Sequence, residues 1–135
     1  MQEELFVDTS AWVALADRGE ARHTAATEAY PELLSRYRLV TTNLVVAETY
    51  ILLRRNLGVE ASLQFLTAIE ASPRIELVRS SEELEREALK LLRKYKDQSF
   101  SFADAVSFAL MGKRRIARSF TFDNHFSIAG FEVIP

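Results

Sequence analysis

The sequence predicts an α/β domain: a mostly parallel central sheet of about five strands, sandwiched between helices in three layers. Three observations point there. Short apolar runs alternate along the chain with longer stretches of helical periodicity, which is how strand–helix–strand units read. The 135 residues are 48% hydrophobic, enough for one compact domain over residues 1–135 with its own core. With four glycines and three prolines there is little material for linkers, and no repeat or low-complexity tract interrupts the pattern.

The elements follow in order. Residues 5–7 (Leu-Phe-Val) form a buried strand, and residues 11–16 a short helix. Residues 21–35 carry Ala25, Ala29 and Leu33 at helical spacing. Residues 38–41 are the second strand. Residues 44–55 are strongly apolar and too long for a typical strand, so they read as a helix ended by Asn56-Leu57-Gly58. Residues 59–71 place Leu63, Leu66 and Ile69 on one helical side and stop before Pro73. Residues 75–78 are the third strand. Ser80 with Glu83 three residues on has the capping-box pattern for a helix reaching Lys94. Residues 102–111 read as a buried helix stopped by Gly112. Residues 117–122 and 131–134 are the last two strands.

Composition removes several function classes. The absence of cysteine excludes a disulfide scaffold, a thiol nucleophile and thiolate metal sites, and two histidines argue against a histidine-rich metal centre. The four glycines are far apart, so neither a Walker A loop nor a dinucleotide fingerprint is present. No segment has the pattern of a signal peptide or membrane span; a cytoplasmic location without membrane contact is the expectation. Nineteen acidic residues against 17 Lys plus Arg do not advertise a nucleic-acid binder.

Most acids fit solvent-facing or helix-start positions, but four stand in apolar surroundings. Asp8 follows the first strand, and Asp123 ends the run Ser119-Phe120-Thr121-Phe122. Glu48 is the only charge between Leu44 and Leu53, and Asp104 the only one between Phe102 and Met111. An isolated buried carboxylate costs several kcal/mol, about 3–5 when its partner is missing, so each needs a cation, a proton or a partner. Separate structural roles exist: an N-cap for Asp8, a turn for Asp123, a Ser101-x-x-Asp104 capping box, and a salt bridge from Glu48 to Arg54, Arg55 or Arg118. One shared role also exists. Ligands in open α/β sheets gather at the carboxyl ends of strands, and oxygen donors of this kind suit Mg²⁺ or Mn²⁺.

At these residues the chain resembles the PIN domain, and within it the VapC-type toxins of toxin–antitoxin pairs. Phe6-Val7-Asp8-Thr9-Ser10, Thr42-Asn43-Leu44-Val45-Val46-Ala47-Glu48, Ser101-Phe102-Ala103-Asp104 and Thr121-Phe122-Asp123-Asn124 resemble the four family motifs, in order. The resemblance implies a Mg²⁺- or Mn²⁺-dependent endoribonuclease whose metal and catalytic residues are Asp8, Glu48, Asp104 and Asp123. Such a cut leaves 5′-phosphate and 3′-hydroxyl ends. Asp97 is either a further ligand or an exposed acid in a polar link. Ser10 and Thr121 are candidates to steady the ligands. Asn43 either meets RNA or caps its helix. Lys113, Arg114, Arg115 and Arg118 either bind RNA backbone or complement a helix C-terminus. His125 reads as a packing or hydrogen-bonding residue, and His23, on a helix, as a surface or satisfied histidine.

The resemblance also implies a VapB-like antitoxin whose arm covers the acidic pocket, and a homodimer in which residues 59–71 serve either the interface or the core. A haloacid dehalogenase-type phosphatase would need an Asp where Ser10 stands, and a receiver domain would need paired acids after its first strand. The remaining alternative is a PIN-like RNA-binding or scaffolding module without catalysis.

Overall fold

A computed structural model describes residues 2–135. Its sheet has strands β1 (Glu3–Val7), β2 (Tyr37–Thr42), β3 (Ile75–Val78), β4 (Arg118–Phe120) and β5 (Glu132–Ile134) in the order β3-β2-β1-β4-β5. Every pairing is parallel. The helices are α1 (Thr9–Ala16), α2 (His23–Arg36), α3 (Asn43–Leu57), α4 (Val59–Ala71), α5 (Glu82–Lys94), α6 (Phe102–Arg114) and α7 (His125–Ile128).

The order dictates the layers. From β1 the chain steps outward to β2 and β3, and right-handed crossovers put α1–α4 on one face. It then steps back past β2 and β1 to β4, so α5 and α6 cover the other face. Helix contacts agree: α1 packs on α2 and α3, α3 on α4, and α5 on α6. β1 lies in the middle, and its Leu5, Phe6 and Val7 are fully buried, as a parallel strand covered on both faces requires. An aromatic block of Phe6, Phe100, Phe108 and Phe126 lies beneath α6 and α7, with Phe108 and Phe126 4.9 Å apart edge to face.

The sheet order places a topological switch beside β1. The chain leaves β1 toward β2, whereas it leaves β4 toward β5, so the segments after β1 and β4 diverge and open a crevice at their carboxyl ends. The Asp8 amide donates to the Phe120 carbonyl at 3.1 Å and ties the two strand ends together.

Several boundaries differ from the sequence reading. Ser81, not Ser80, caps α5, accepting from the Leu84 amide at 3.1 Å, while the Ser80 hydroxyl donates to Glu85. α6 runs through Gly112 to Arg114 and ends where Arg115 turns left-handed (φ 57°), with the Ile116 amide returning to the Met111 carbonyl. One glycine does not stop a helix whose neighbours Leu110 and Met111 are buried in the core. At Gly58, by contrast, φ of 95° joins α3 to α4 in a conformation that favours glycine. β4 is shorter than predicted because the amides of Phe122 and Asp123 go to the hydroxyls of Ser10 and Thr121. The single turn of α7 is too short to leave a periodic pattern in the sequence.

Candidate active site

The crevice is a cavity of about 440 Å³ lined by Asp8, Glu48, Asp104 and Asp123 together. Four segments supply them: the residue after β1, the loop after β4, the second turn of α3 and the first turn of α6. A second cavity of about 480 Å³, between α1, α2 and α4, has an apolar lining without a carboxylate. The candidate site is therefore the first.

Asp8 is 3% exposed. Its Oδ2 accepts the Thr121 hydroxyl at 3.0 Å and the Ser10 hydroxyl at 3.2 Å. Ser10 and Thr121 are themselves in contact at 3.1 Å, and the Phe122 amide donates to Ser10 at 2.9 Å. The carboxylate is thus fixed by residues that also fasten the end of β4. Burial, and then the neighbouring Asp104 charge, push the Asp8 carboxyl up to about 6.

Glu48 accepts the Thr9 hydroxyl at 3.0 Å, and burial is the main cause holding its carboxyl above the usual range. It forms no salt bridge to Arg54, Arg55 or Arg118. Asp104 completes a capping box: Ser101 accepts its amide at 3.0 Å, and its Oδ2 accepts the Ser101 amide at 3.0 Å. Its Oδ2 lies 3.0 Å from His125 Nδ1, which is also 3.4 Å from Asp123 Oδ2. Asp123 accepts the His125 amide at 2.9 Å. Asp104, Asp123 and His125 present ligand atoms within 4.8 Å of one another. Asp8 and Glu48 line the same cavity outside that group.

The donor set suits a hard divalent cation. It is carboxylate oxygen with one imidazole, and the Asp8 carboxyl is raised first by burial and then by the Asp104 charge. Among the described lining residues Arg22 is the one Lys or Arg. A cation between the carboxylates would relieve what now holds Asp8 up.

Other candidates lie elsewhere. Asp97 is exposed and does not line the cavity. Asn43 neither caps α3 nor faces the cavity: Thr42 is the cap, accepting from the Val45 amide, and Asn43 Oδ1 accepts the Ser80 amide at 2.8 Å. The basic cluster sits toward the opposite end of the sheet. Arg114 bonds Glu76 and Glu4, Arg118 bonds Glu3 and Glu132, and Lys113 approaches Glu83. Arg115 is the exposed C-cap of α6. His23 holds the Ala14 carbonyl at 2.7 Å. His125 is the residue whose place in the site the sequence did not reveal, although its position two residues after Asp123 was a signal. Arg22 and Glu20 also line the cavity, and no local pattern marked them.

Known proteins resemble the chain in sequence and fold. A profile of the PIN domain matches residues 5–132. The 23S rRNA-specific endonuclease VapC20 of Mycobacterium tuberculosis is 38% identical over 132 residues, 97% of this chain and 98% of the relative. Ribonuclease VapC26 of the same organism is 34% identical over 138 residues, 97% of this chain and 100% of the relative. The crystal structure of VapC20, described as a sarcin–ricin loop cleaving toxin, superposes with a TM-score of 0.87 at 37% identity, covering 94% of this chain and 95% of that one. FitAcB from Neisseria gonorrhoeae shares the fold alone, with a TM-score of 0.67 at 16% identity over 97% of this chain and 96% of that one. The all-parallel five-stranded sheet, the four carboxylates at its switch point and these full-length matches lead to one conclusion: the chain belongs to the PIN-domain family, among its VapC-type members.

Proposed function

We propose that the chain is a Mg²⁺- or Mn²⁺-dependent endoribonuclease, the toxin of a toxin–antitoxin pair, and that it hydrolyses RNA in the cavity of Asp8, Glu48, Asp104 and Asp123. The observation that carries this is the convergence of four carboxylates, from four separated segments, on one cavity with a single Lys or Arg among its described lining residues. The full-length likeness to a 23S rRNA-specific endonuclease supports an RNA substrate and makes a ribosomal stem–loop the first to try.

Asp8, Asp104, Asp123 and Glu48 would hold the ion, with His125 beside Asp104 and Asp123. A bound divalent ion supplies positive charge against the phosphodiester and lowers the pKa of the attacking water. The chain's own contribution is preorganisation. Ser10 and Thr121 hold Asp8 in one orientation, Thr9 holds Glu48, and the Ser101 amide and His125 hold Asp104. Val13, Leu52 and Phe122 form an apolar wall that limits water around the carboxylates.

The toxin role brings further proposals: cytoplasmic action, a VapB-like antitoxin covering the cavity, and self-association through α3 and α4, where Ile51, Leu57, Val59 and Leu63 are exposed. No helix among the described residues is long and apolar enough to cross a membrane.

The test is incubation of purified protein with a sarcin–ricin stem–loop RNA in Mg²⁺, in Mn²⁺ and in EDTA. The expected result is a discrete cut with 5′-phosphate and 3′-hydroxyl ends, lost in EDTA and in Asp104→Asn. Undiminished cleavage in EDTA would refute the metal site. Expression alone should arrest growth, with relief by a partner encoded beside the gene; harmless expression of cleavage-competent protein would refute the toxin role.

A further inference from the structure

The cavity holds one feature that the carboxylates do not explain. Arg22 projects from the α1–α2 connection with its guanidinium carbon 5.8 Å from the centre of the Phe122 ring. It lines the same cavity as the four acids and Glu20, yet among the described residues its guanidinium forms no ion pair with any of them. Arg22 is exposed. Standing beside five carboxylates and resting on an aromatic ring, it leaves its N–H donors to solvent and open to a ligand, because a ring face accepts no ordinary hydrogen bond from them.

Both supports of this side chain are fixed. The Arg22 amide donates to the Glu20 carboxylate, and the His23 amide donates to the Glu20 carbonyl at 3.0 Å. His23 Nδ1 meets the Ala14 carbonyl at 2.7 Å and pins the connection to α1. On the other side, the Phe122 amide is held by Ser10 and its ring lies 6.0 Å from that of Phe120. The arginine therefore starts from a tied loop and rests on a ring fastened to the same serine that holds Asp8.

RNA brings a phosphate on every nucleotide to a cavity whose own charge is negative. A divalent ion among the carboxylates answers one phosphate; its neighbours along the strand still meet Asp and Glu side chains. We infer that Arg22, resting on Phe122, binds a backbone phosphate of the RNA next to the cleaved one and so sets the register of the strand in the cavity. A planar guanidinium suits this task because it can grip two phosphate oxygens at once, which an ammonium cannot. The inference rests on the ribonuclease reading, and its test separates the two.

Wild type, Arg22→Ala and Arg22→Lys are compared in full-length protein on the sarcin–ricin stem–loop RNA with Mg²⁺ or Mn²⁺. Arg22→Ala should raise KM about tenfold, the loss of one charge-assisted contact, and change kcat less. It should also flatten the plot of log kcat/KM against log salt by about 0.7–0.9, the equivalent of one phosphate. Arg22→Lys should restore the salt slope and only part of the KM. RNAs carrying a single neutral methylphosphonate should reveal one position, beside the cut, where the change weakens wild type about tenfold and leaves Arg22→Ala unaffected. Wild-type KM and salt slope in Arg22→Ala would overturn the inference, as would equal sensitivity of both proteins at every methylphosphonate. If wild type itself cleaves no RNA, the ribonuclease reading falls and this inference with it, which the wild-type lane alone reveals.

Discussion

Replacing Asp8 by Asn should make the ion-free protein more stable while removing its activity. The Asp8 carboxyl stands at about 6 in the folded protein against an ordinary value of 3.8, with burial as the first cause and the Asp104 charge as the second. The folded state therefore holds this proton more tightly than the unfolded chain does. That advantage is complete below the ordinary value and is lost as pH rises through about 6. Above it, ionised Asp8 burdens the fold by about two pKa units, or about 3 kcal/mol at 1.36 kcal/mol per unit. Asp8 is 3% exposed, so solvent screening takes little from that figure. Asparagine keeps an oxygen for the Thr121 and Ser10 hydroxyls but adds an amide group that needs its own partner, at a cost of about 1–2 kcal/mol. The net expectation in EDTA at pH 7.5 is a gain of about 1–2 kcal/mol, or several degrees in Tm.

Urea and thermal melts in EDTA at pH 4.5 and 7.5 check this. The advantage of Asp8→Asn should shrink or reverse at the lower pH, where wild-type Asp8 is protonated. Adding Mg²⁺ or Mn²⁺ at pH 7.5 should then stabilise wild type more than the variant, since the ion relieves the repulsion that the substitution has already removed. A variant less stable than wild type at pH 7.5, by an amount independent of pH, would refute the reasoning.

Cleavage by wild type should decline as pH falls through about 6, because protonated Asp8 is a poorer cation ligand; a pH–rate profile checks this, and more Mg²⁺ should move the midpoint lower. His125→Ala should weaken divalent-ion affinity about tenfold, measured calorimetrically, because Asp104 and Asp123 lose the imidazole 3.0 and 3.4 Å away. Ser101→Ala should cost about 1 kcal/mol of stability in urea melts by removing half of the α6 capping box. Arg114→Ala should cost about 1 kcal/mol, more at low salt, because its pairs with Glu76 and Glu4 lie partly exposed. It should leave the salt slope of RNA cleavage unchanged.

The four carboxylates were legible because each breaks the pattern around it: a charge in an apolar helix or at the end of a buried strand demands an explanation wherever the chain goes next. Their common destination followed from strand–helix alternation, since carboxyl strand ends share one edge of a parallel sheet. The basic residues from Lys113 to Arg118 illustrate why proximity in sequence misleads. Arg118 opens β4 and Asp123 lies beyond its end, so the whole length of the strand separates them. The cations belong to the amino end of the sheet, where Glu3, Glu4, Glu76 and Glu132 meet them. His125 and Arg22 were hidden for the opposite reason. Their surroundings come from contacts with distant segments, Asp104 for one and Phe122 for the other, and no local periodicity encodes such a meeting.

Capping does not exclude a ligand role for these acids. Asp104 serves the capping box of α6 with the same Oδ2 that meets His125, and Asp8 approaches the Ser10 amide at 3.5 Å while its hydroxyl partners hold it. A helix amino end carries partial positive charge, so carboxylates placed there are partly compensated before any ion arrives. This lets the fold tolerate several acids in one crevice, and capping bonds hold their oxygens in place. The compensation is incomplete at Asp8, the most buried of them, whose carboxyl burial and then the Asp104 charge drive up to about 6. Capping thus makes the cluster foldable, and the uncompensated remainder is the attraction that the proposed cation would meet.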